Sequence, residues 1–567
     1  MNKYYSRNAF AGIFKKGNGM KVVIIGGVAG GATAAARIRR LDERAEIVML
    51  ERTGYVSYAN CGLPYYVGGT IADEDDLTLQ TPQSFYARYR VDARVGHEAI
   101  AIDRAGKTVT VRELATGRTY EESYDKLLLA PGAKPVLPPA AQKEDGRVFT
   151  LRTVEDTFAM HDYVVGQKPQ TAVVVGSGFI GLETAENLVE RGVRVTLIQR
   201  GGQVLAPLDA DMACFLHAEL VKNGVDLRLS TPFEGLEKGE KVRVLTSRGT
   251  IEADMAVIAL GVVPDTALAK EAGLELGQKG SIVTDAHMRT SDPDIYAAGD
   301  AVEVRHFVTG AKTLIALAGP ANKQGRIAAD NICGGSSEYR GSQGSSVVKV
   351  FSLTAAATGI NEKTARAAGL DYDKVVLSPA NHATYYPGAQ VMTMKVLFER
   401  GSLRLLGAQI VGGAGVDKRI DVLATAIRAG LTADMLKDLD LAYAPPYSSA
   451  KDPVNMAGYL IDNLVAGRVK QFHFEDVASL PRDGSVTLLD TRTPLEYARG
   501  HAEGFVNIPV DDLRGRLGEL DRAKPVYVMC QSGLRSYLAC RILTQNGFDC
   551  YNFSGGYRFY AANARKF

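Results

Sequence analysis

No CxxC pair and no HExxH motif occur in this chain of 567 residues, although it holds six cysteines (Cys61, Cys214, Cys333, Cys530, Cys540 and Cys550) and eight histidines. Those absences leave metal binding with little support and point to a reduced, cytoplasmic protein. An excess of one charge is lacking too. Sixty-six basic residues face 64 acidic ones, a formal net charge of +2, and no basic domain or acidic tail is present to engage nucleic acid or a membrane surface. No apolar run reaches the roughly eighteen residues of a membrane span; the most apolar, Val22 to Ala36, is broken by four glycines and a threonine. The first nineteen residues carry Lys3, Arg7, Lys15 and Lys16 but neither a secretory apolar core nor a small-residue cleavage site. Residues 1–19 therefore read as a disordered leader, with Met20 as an alternative start.

What is present is two glycine-rich turns, each between a strand and a helix. The first runs strand (Lys21 to Ile25), turn (Gly26 to Gly31), helix (Ala32 to Leu41) and strand (Glu46 to Leu50). Gly26, Gly27, Ala29 and Gly31 would let backbone approach a dinucleotide pyrophosphate at a helix N-terminus, and Glu51, 25 residues after Gly26, is placed to bond a ribose. The match to GxGxxG is incomplete, because Val28 stands at the middle glycine. The second unit, a strand from Ala172 to Val175 followed by Gly176-Ser177-Gly178-Phe179-Ile180-Gly181 and a helix through Glu190, matches in full. Its next strand ends in Gln199-Arg200 where an acid would select NAD. NADPH is therefore slightly favoured, or both nucleotides are used, unless Arg200 is an ordinary surface arginine.

One thiol follows the first unit, in Ser57-Tyr58-Ala59-Asn60-Cys61-Gly62-Leu63-Pro64-Tyr65-Tyr66. No second cysteine lies close behind it, which excludes storing electrons between two neighbouring protein sulfurs. Cys61 stands at a helix entrance marked by Pro64, where a thiolate is stabilised; the bland alternative is a buried packing cysteine. Thr33, Arg37 and Arg40 share one face of the first helix near this loop. They read either as a solvated face or as contacts for a phosphate-bearing substrate.

The segment Thr290 to Asp300, TSDPDIYAAGD, resembles the second flavin-contacting motif of the pyridine nucleotide-disulfide oxidoreductases. The resemblance implies an α/β chain with two Rossmann-like nucleotide-binding domains of the glutathione reductase type. FAD would be held at 20–150 and 265–336, where Gly299 and Asp300 meet the ribityl chain, and NAD(P)H at 151–264, where Phe179 and Glu183 lie at the nicotinamide. An α+β dimerisation domain would span 337–463. Within it, NHATYYPGA, DKRIDVL and AYAPPYSSAKD, together with SYANCGLPYY, resemble coenzyme A disulfide reductases. That likeness implies a homodimer in which Tyr385 and Tyr443 reach Cys61 of the other copy, and coenzyme A contacts from Thr33, Arg37, Arg40, Ser57 and Asn60.

After a linker from Val465 to Gln471, residues 472–567 resemble a rhodanese domain, again α/β, with Cys530-Gln531-Ser532-Gly533-Leu534-Arg535 between strand and helix. Cys530 would carry sulfane sulfur in a tight ring closed by Arg535, while Cys540 and Cys550 read as core. The combined expectation is reduction of coenzyme A disulfide, coenzyme A persulfide or polysulfide. The rivals are an oxidase or peroxidase whose single cysteine cycles through sulfenic acid, and a redox or sulfide sensor.

Overall fold

The computed structural model describes residues 19–141 and 146–567. The expected leader lies outside them but for Gly19. Each glycine-rich unit builds a five-stranded parallel sheet. In the first, the spatial order is Ile295–Ala297, Lys126–Leu129, Lys21–Ile25, Glu46–Glu51 and Val91–Val95. In the second it is Val148–Phe149, Met255–Ile258, Thr171–Val175, Arg194–Ile198 and Asp226–Arg228. The central strands, KVVII and TAVVV, are buried over their last four residues; such near-continuous apolar runs suit strands covered on both faces. Each sheet has a three-stranded antiparallel meander inserted before a returning strand, Lys126–Leu129 in the first and Met255–Ile258 in the second, so the two units repeat one plan.

The glycines at the two strand-to-helix turns are interchangeable in role. A Cβ on Gly26 (φ +100°) would stand 2.1 Å from the Ala130 carbonyl oxygen, and one on Gly176 (φ +104°) 2.3 Å from that of Ala259. A Cβ on Gly31 or Gly181 would fall 1.9 Å from the carbonyl oxygen of Gly26 or Gly176 respectively. The first helix spans Ala29–Leu41 rather than starting at Ala32, so the turn is tighter than its four glycines suggest. Its Gly30 lets the helix Ala318–Ile332 pack at backbone distance, since a Cβ on Gly325 would stand 2.3 Å from the Gly30 carbonyl oxygen.

The dimerisation region forms an antiparallel sheet ordered Ser346–Val350, Leu353–Gly359, Leu405–Gly412, Thr393–Glu399 and Tyr372–Leu377. Alternate residues face opposite ways. Ala356, Val396 and Ile410 pack with the helix Val416–Ala429. Ala355, Ala357 and Val411 instead join the core that contains Leu216 and Leu220 of the helix Ala210–Lys222 in the second nucleotide unit. The helix thus covers one face of the sheet and the second nucleotide unit the other.

The C-terminal sheet is parallel, in the order Lys470–Phe472, Cys550–Phe553, Val526–Met529, Thr487–Asp490 and Val506–Asn507. Its first strand begins at Lys470, inside the expected linker, and the preceding helix Pro453–Val465 leaves only 466–469 between them. The module is docked, not trailing. Val376 N donates to Ser554 Oγ (3.0 Å), Gln471 Nε2 to the Lys374 carbonyl (2.7 Å), and Asn563 Nδ2 to the Asp211 carbonyl (3.1 Å).

A buried ion network joins these parts. Lys395 is fully buried; its Nζ lies 2.8 Å from Asp211 and 3.0 Å from Asp209, and also bonds Glu362. Glu362 accepts in turn from Lys374 (2.9 Å), which reaches Glu475 of the C-terminal module at 2.5 Å. The three carboxylates cluster within 4.8 Å of one another, and Lys395 is the cation they close on. Burial pushes the Glu362 carboxyl up, but Lys395 and Lys374 outweigh it and hold it at about 2, below its ordinary 4.5. Because the folded value is depressed, its stabilising contribution is complete above pH 4.5 and is lost as pH falls towards 2. Glu362→Ala removes the carboxylate shared by two buried ammonium groups, leaving Lys395 to Asp209 and Asp211 and Lys374 to Glu475, and should cost about 1.5–3 kcal/mol. Denaturant midpoints should show that loss at neutral pH and a narrowing gap from wild type on acidification. An unchanged neutral midpoint would contradict this account of the network.

Candidate active site

Cys61 is the exposed cysteine of the chain; Cys333 is half-buried and the other four are buried. Two anchors hold its loop. Ser57, with φ +50°, donates its backbone N–H to the Gly27 carbonyl at 2.7 Å, tying the loop to the first glycine-rich turn. Downstream, the short helix Leu63–Gly68 packs on Phe179–Glu190 of the second unit, closely enough that a Cβ on Gly68 would stand 1.9 Å from Asn187 Oδ1. Tyr65 Oη donates to Glu183 Oε1 (3.3 Å), and Arg191 Nε to the Val67 carbonyl (3.0 Å). The thiol thus sits where the two nucleotide units meet.

The electrostatics differ from the expectation of a stabilised thiolate. Burial raises the Cys61 thiol above its ordinary range, Glu183 and Asp300 add to that, and Arg152 opposes them. The helix that follows Cys61 has six residues and begins after a single 3-10 turn, too little aligned backbone to outweigh the two acids. Burial also lifts Glu183 to about 7, with Glu186 adding and the Tyr65 hydrogen bond opposing. Asp300 is raised by burial, against the pull of Arg152.

The first glycine turn is shaped for a dinucleotide. A cavity of about 270 Å³ opens beside Gly26, walled by Leu50, Glu51, Arg52, Pro131 and Asp265. Glu51 is buried and accepts from Gly27 N and Thr53 N, both at 2.9 Å, which aligns its carboxylate along the turn. Gly27 and Ala29 complete the turn and helix start. Gly299, with φ +86°, and Asp300 follow the edge strand Ile295–Ala297, and Gln324 Oε1 accepts from Gly299 N (2.7 Å). The cavity, the glycine cradle and the half-buried Asp300 are chemically suited to FAD. In the second unit an added Cβ on Gly178 would meet nothing within 4 Å, space that a pyrophosphate can enter. Phe179 opens the helix behind it, and Gln199 and Arg200 follow the end of Arg194–Ile198, with Arg200 exposed.

Thr33, Arg37 and Arg40 occupy one helix as expected, but two already have partners: Thr33 Oγ1 donates to Asn322 Oδ1 (2.7 Å) and Arg37 Nε to Asp330 Oδ1 (2.7 Å). Arg40 is exposed, as is Arg326 one helical turn beyond Asn322. Tyr385 and Tyr443 meet each other, hydroxyl to hydroxyl at 2.6 Å, on an exposed part of the dimerisation domain.

In the C-terminal module, Cys530 follows the strand Val526–Met529 and is fully buried. Its Sγ accepts from Gly533 N (3.1 Å) and Ser536 Oγ (3.2 Å). Arg535 was expected to close this ring over the sulfur; instead both its terminal nitrogens lie 2.7 Å from Glu496, whose carboxyl that pairing holds at about 2. A free Arg535 would face the sulfur with an uncompensated charge, and the bidentate carboxylate removes it. Cys540 and Cys550 are buried in the core of the module.

Sequence reasoning gave no role to Arg152, Asn322, Ser536 or Glu496. Ser536 stands six residues after Cys530, a spacing that could have signalled it, whereas Arg152 lies 92 residues from Asn60 and Glu496 lies 39 from Arg535.

Two nucleotide units sharing one exposed thiol define a pyridine-nucleotide-linked thiol oxidoreductase, here joined to a sulfurtransferase-type module. The chain belongs to the pyridine nucleotide-disulphide oxidoreductases: residues 20–325 match that family, 345–453 its dimerisation domain, and 473–563 the rhodanese-like domain. Its family cofactors are FAD and NAD(P)H. The chain is 36% identical over 441 residues to a Staphylococcus aureus coenzyme A disulfide reductase, covering 77% of this chain and 99% of that one. Among solved structures, the reduced CoADR-RHD of Bacillus anthracis is 45% identical with a TM-score of 0.93, over 97% of this chain and 99% of that one. An NAD-dependent persulfide reductase from A. fulgidus is 40% identical with a TM-score of 0.90, over 95% and 100%. No helix among the described residues is long and apolar enough to cross a membrane.

Asp300→Ala should weaken flavin retention, since it deletes a half-buried acceptor at the end of the edge strand. The flavin-to-protein absorbance ratio of the purified variant measures this, and full occupancy would remove Asp300 from the cofactor site.

Proposed function

We propose that this enzyme uses NAD(P)H to reduce sulfur–sulfur bonds of coenzyme A disulfide, coenzyme A persulfide or polysulfide through Cys61 alone, while Cys530 handles sulfane sulfur. The observation that carries this reading is the exposed Cys61 thiol at the junction of both nucleotide units, with no second cysteine beside it. Relatives named for coenzyme A disulfide and persulfide reduction support it.

FAD, held by Gly26, Gly27, Ala29, Gly31, Glu51, Gly299 and Asp300, would supply a two-electron relay between nicotinamide and thiol. Gly176, Gly178 and Gly181 hold the NAD(P)H pyrophosphate, and Phe179 and Glu183 flank the nicotinamide. Gln199 and Arg200 offer no ribose-binding acid, so NADPH is accepted at least as well as NADH. Arg37 and Arg40, with Thr33, Ser57 and Asn60, bind the coenzyme A moiety, the guanidiniums meeting its phosphates.

Cys61 Sγ, as thiolate, attacks one sulfur of the substrate; an S–S bond forms to Cys61 and the substrate's own S–S bond breaks. The departing thiolate or hydrosulfide takes a proton from Tyr385 or Tyr443 of a second copy of the chain. Their mutual hydrogen bond leaves one phenolic hydrogen directed outward, and stabilises the phenolate formed when it leaves. Two electrons originating from NAD(P)H then cleave the mixed disulfide, freeing coenzyme A and restoring the Cys61 thiolate. For the disulfide, one NAD(P)H and one proton yield two coenzyme A thiols. In the rhodanese-like module, Gly533 N and Ser536 Oγ donate to Cys530 Sγ and so stabilise the thiolate that takes up sulfane sulfur.

Cys61→Ser should abolish reduction of every disulfide and persulfide while NAD(P)H still bleaches the flavin. Cys530→Ser should keep coenzyme A disulfide reduction near wild type and lose activity mainly with polysulfide or another persulfide donor. Loss of coenzyme A disulfide reduction in a folded, FAD-loaded Cys530→Ser dimer would overturn this division of labour. Faster turnover with peroxide or oxygen than with any sulfur substrate would favour an oxidase instead.

A further inference from the structure

The Cys61 site is acidic. Glu183 approaches from the helix Phe179–Glu190, Asp300 from the loop after Ile295–Ala297, and Tyr65 from the thiol's own short helix, with its hydroxyl committed to Glu183. A nucleophile in that setting needs a compensating charge, because each carboxylate favours the neutral thiol. The cation present is Arg152, from the turn before the helix Val154–Gln167. Its side chain is largely buried, at 19% exposed, and is fixed on three sides. Nε donates to the Ala133 carbonyl at 3.0 Å, Nη1 to Asn60 Oδ1 at 3.1 Å, and Nη2 lies 3.6 Å from Asp300 Oδ2. Its backbone N–H is held by Asp156 Oδ2 at 3.1 Å, so the residue is anchored independently of the thiol loop.

We propose that Arg152 is the positioning residue for the Cys61 nucleophile: one guanidinium fixes the thiol loop through Asn60, partly neutralises Asp300, and supplies the positive charge that offsets part of the acidic field at the sulfur. This rests on Cys61 being the redox thiol. Arg152 acts through its neighbours and its field, with no bond to the sulfur. Asn60 is adjacent to Cys61 in sequence, so the 3.1 Å hydrogen bond sets where the sulfur stands relative to Asp300. The arrangement fits the direction of the local shifts, in which Arg152 alone pulls the Cys61 thiol down against burial, Glu183 and Asp300. Lysine retains the charge but not the fork, and glutamine retains hydrogen bonding without the charge. The two replacements therefore separate field from geometry.

The test is the pH dependence of Cys61 alkylation by iodoacetamide in the full-length, FAD-saturated enzyme, reduced and desalted beforehand and read by mass spectrometry on the Cys61 peptide. Arg152→Gln should move the alkylation midpoint up by about one unit or more, slowing the reaction about tenfold at a fixed pH below it. Arg152→Lys should stay close to wild type. An unmoved midpoint in FAD-saturated Arg152→Gln would overturn the proposal, and so would an Arg152→Lys midpoint displaced as far as that of Arg152→Gln. Thermal midpoints of both variants identify a simple folding defect, which lowers stability without moving the alkylation profile and so also counts against the proposal. The measurement does not depend on turnover. If Cys61→Ser retained disulfide reduction, the catalytic reading of Cys61 would fail while the alkylation midpoints would still report on Arg152.

Discussion

The structure around the active thiol depends on a short stretch of chain fastened at both ends to different nucleotide units. Ser57 N on the Gly27 carbonyl fixes the start, and Tyr65 on Glu183 with Val67 on Arg191 fixes the end. Between these anchors Cys61 has little freedom in backbone position, although its sulfur remains exposed. That combination suits a nucleophile that must meet a substrate from solvent on one side and an electron relay on the other. Its cost is electrostatic: the anchor that brings Glu183 close also raises the thiol, and Arg152 is what offsets it.

The buried network about Lys395 places the second sulfur. It joins Asp209 and Asp211 of the second nucleotide unit, Glu362 and Lys374 of the dimerisation sheet, and Glu475 of the rhodanese-like module. A buried ion cluster of this kind contributes registry more dependably than net stability, since its desolvation cost is large. Here the registry is that of three units at once. With only 466–469 between the last helix of the dimerisation domain and the first strand of the module, Cys530 is held in place rather than swung on a tether.

Much of this was legible in the sequence because it is local. Gly26, Gly31, Gly176 and Gly181 are written at fixed spacing, and each is required by a carbonyl oxygen about two ångströms from where its Cβ would be. The parallel strands were visible as short apolar runs, and the Cys530 loop as a strand end opening into a helix. The rest is long-range. Arg152 meets Asn60 and Asp300 only because the strand order brings the turn before Val154–Gln167 beside the end of Ile295–Ala297, and no spacing encodes that. The stabilised thiolate expected at Cys61 failed for the same reason: helix entrance is a local feature, whereas Glu183 and Asp300 arrive from elsewhere in the chain. Arg535 is similar, since its loop was legible and its commitment to Glu496 was not. The linker was overestimated because Lys470 and Gln471 carry no apolar signal, yet pair with Tyr551 and Asn552.

The account stands on Cys61 forming a covalent sulfur–sulfur bond with its substrate. Incubating the enzyme, with its thiols reduced and desalted and its FAD oxidised, with coenzyme A disulfide and no nucleotide, then mapping the coenzyme A adduct by mass spectrometry under non-reducing conditions, tests this most directly. One coenzyme A should be found on Cys61 of each chain and be released stoichiometrically when NAD(P)H is added. An adduct on another cysteine, or none on Cys61 in an enzyme that turns over coenzyme A disulfide, would contradict it.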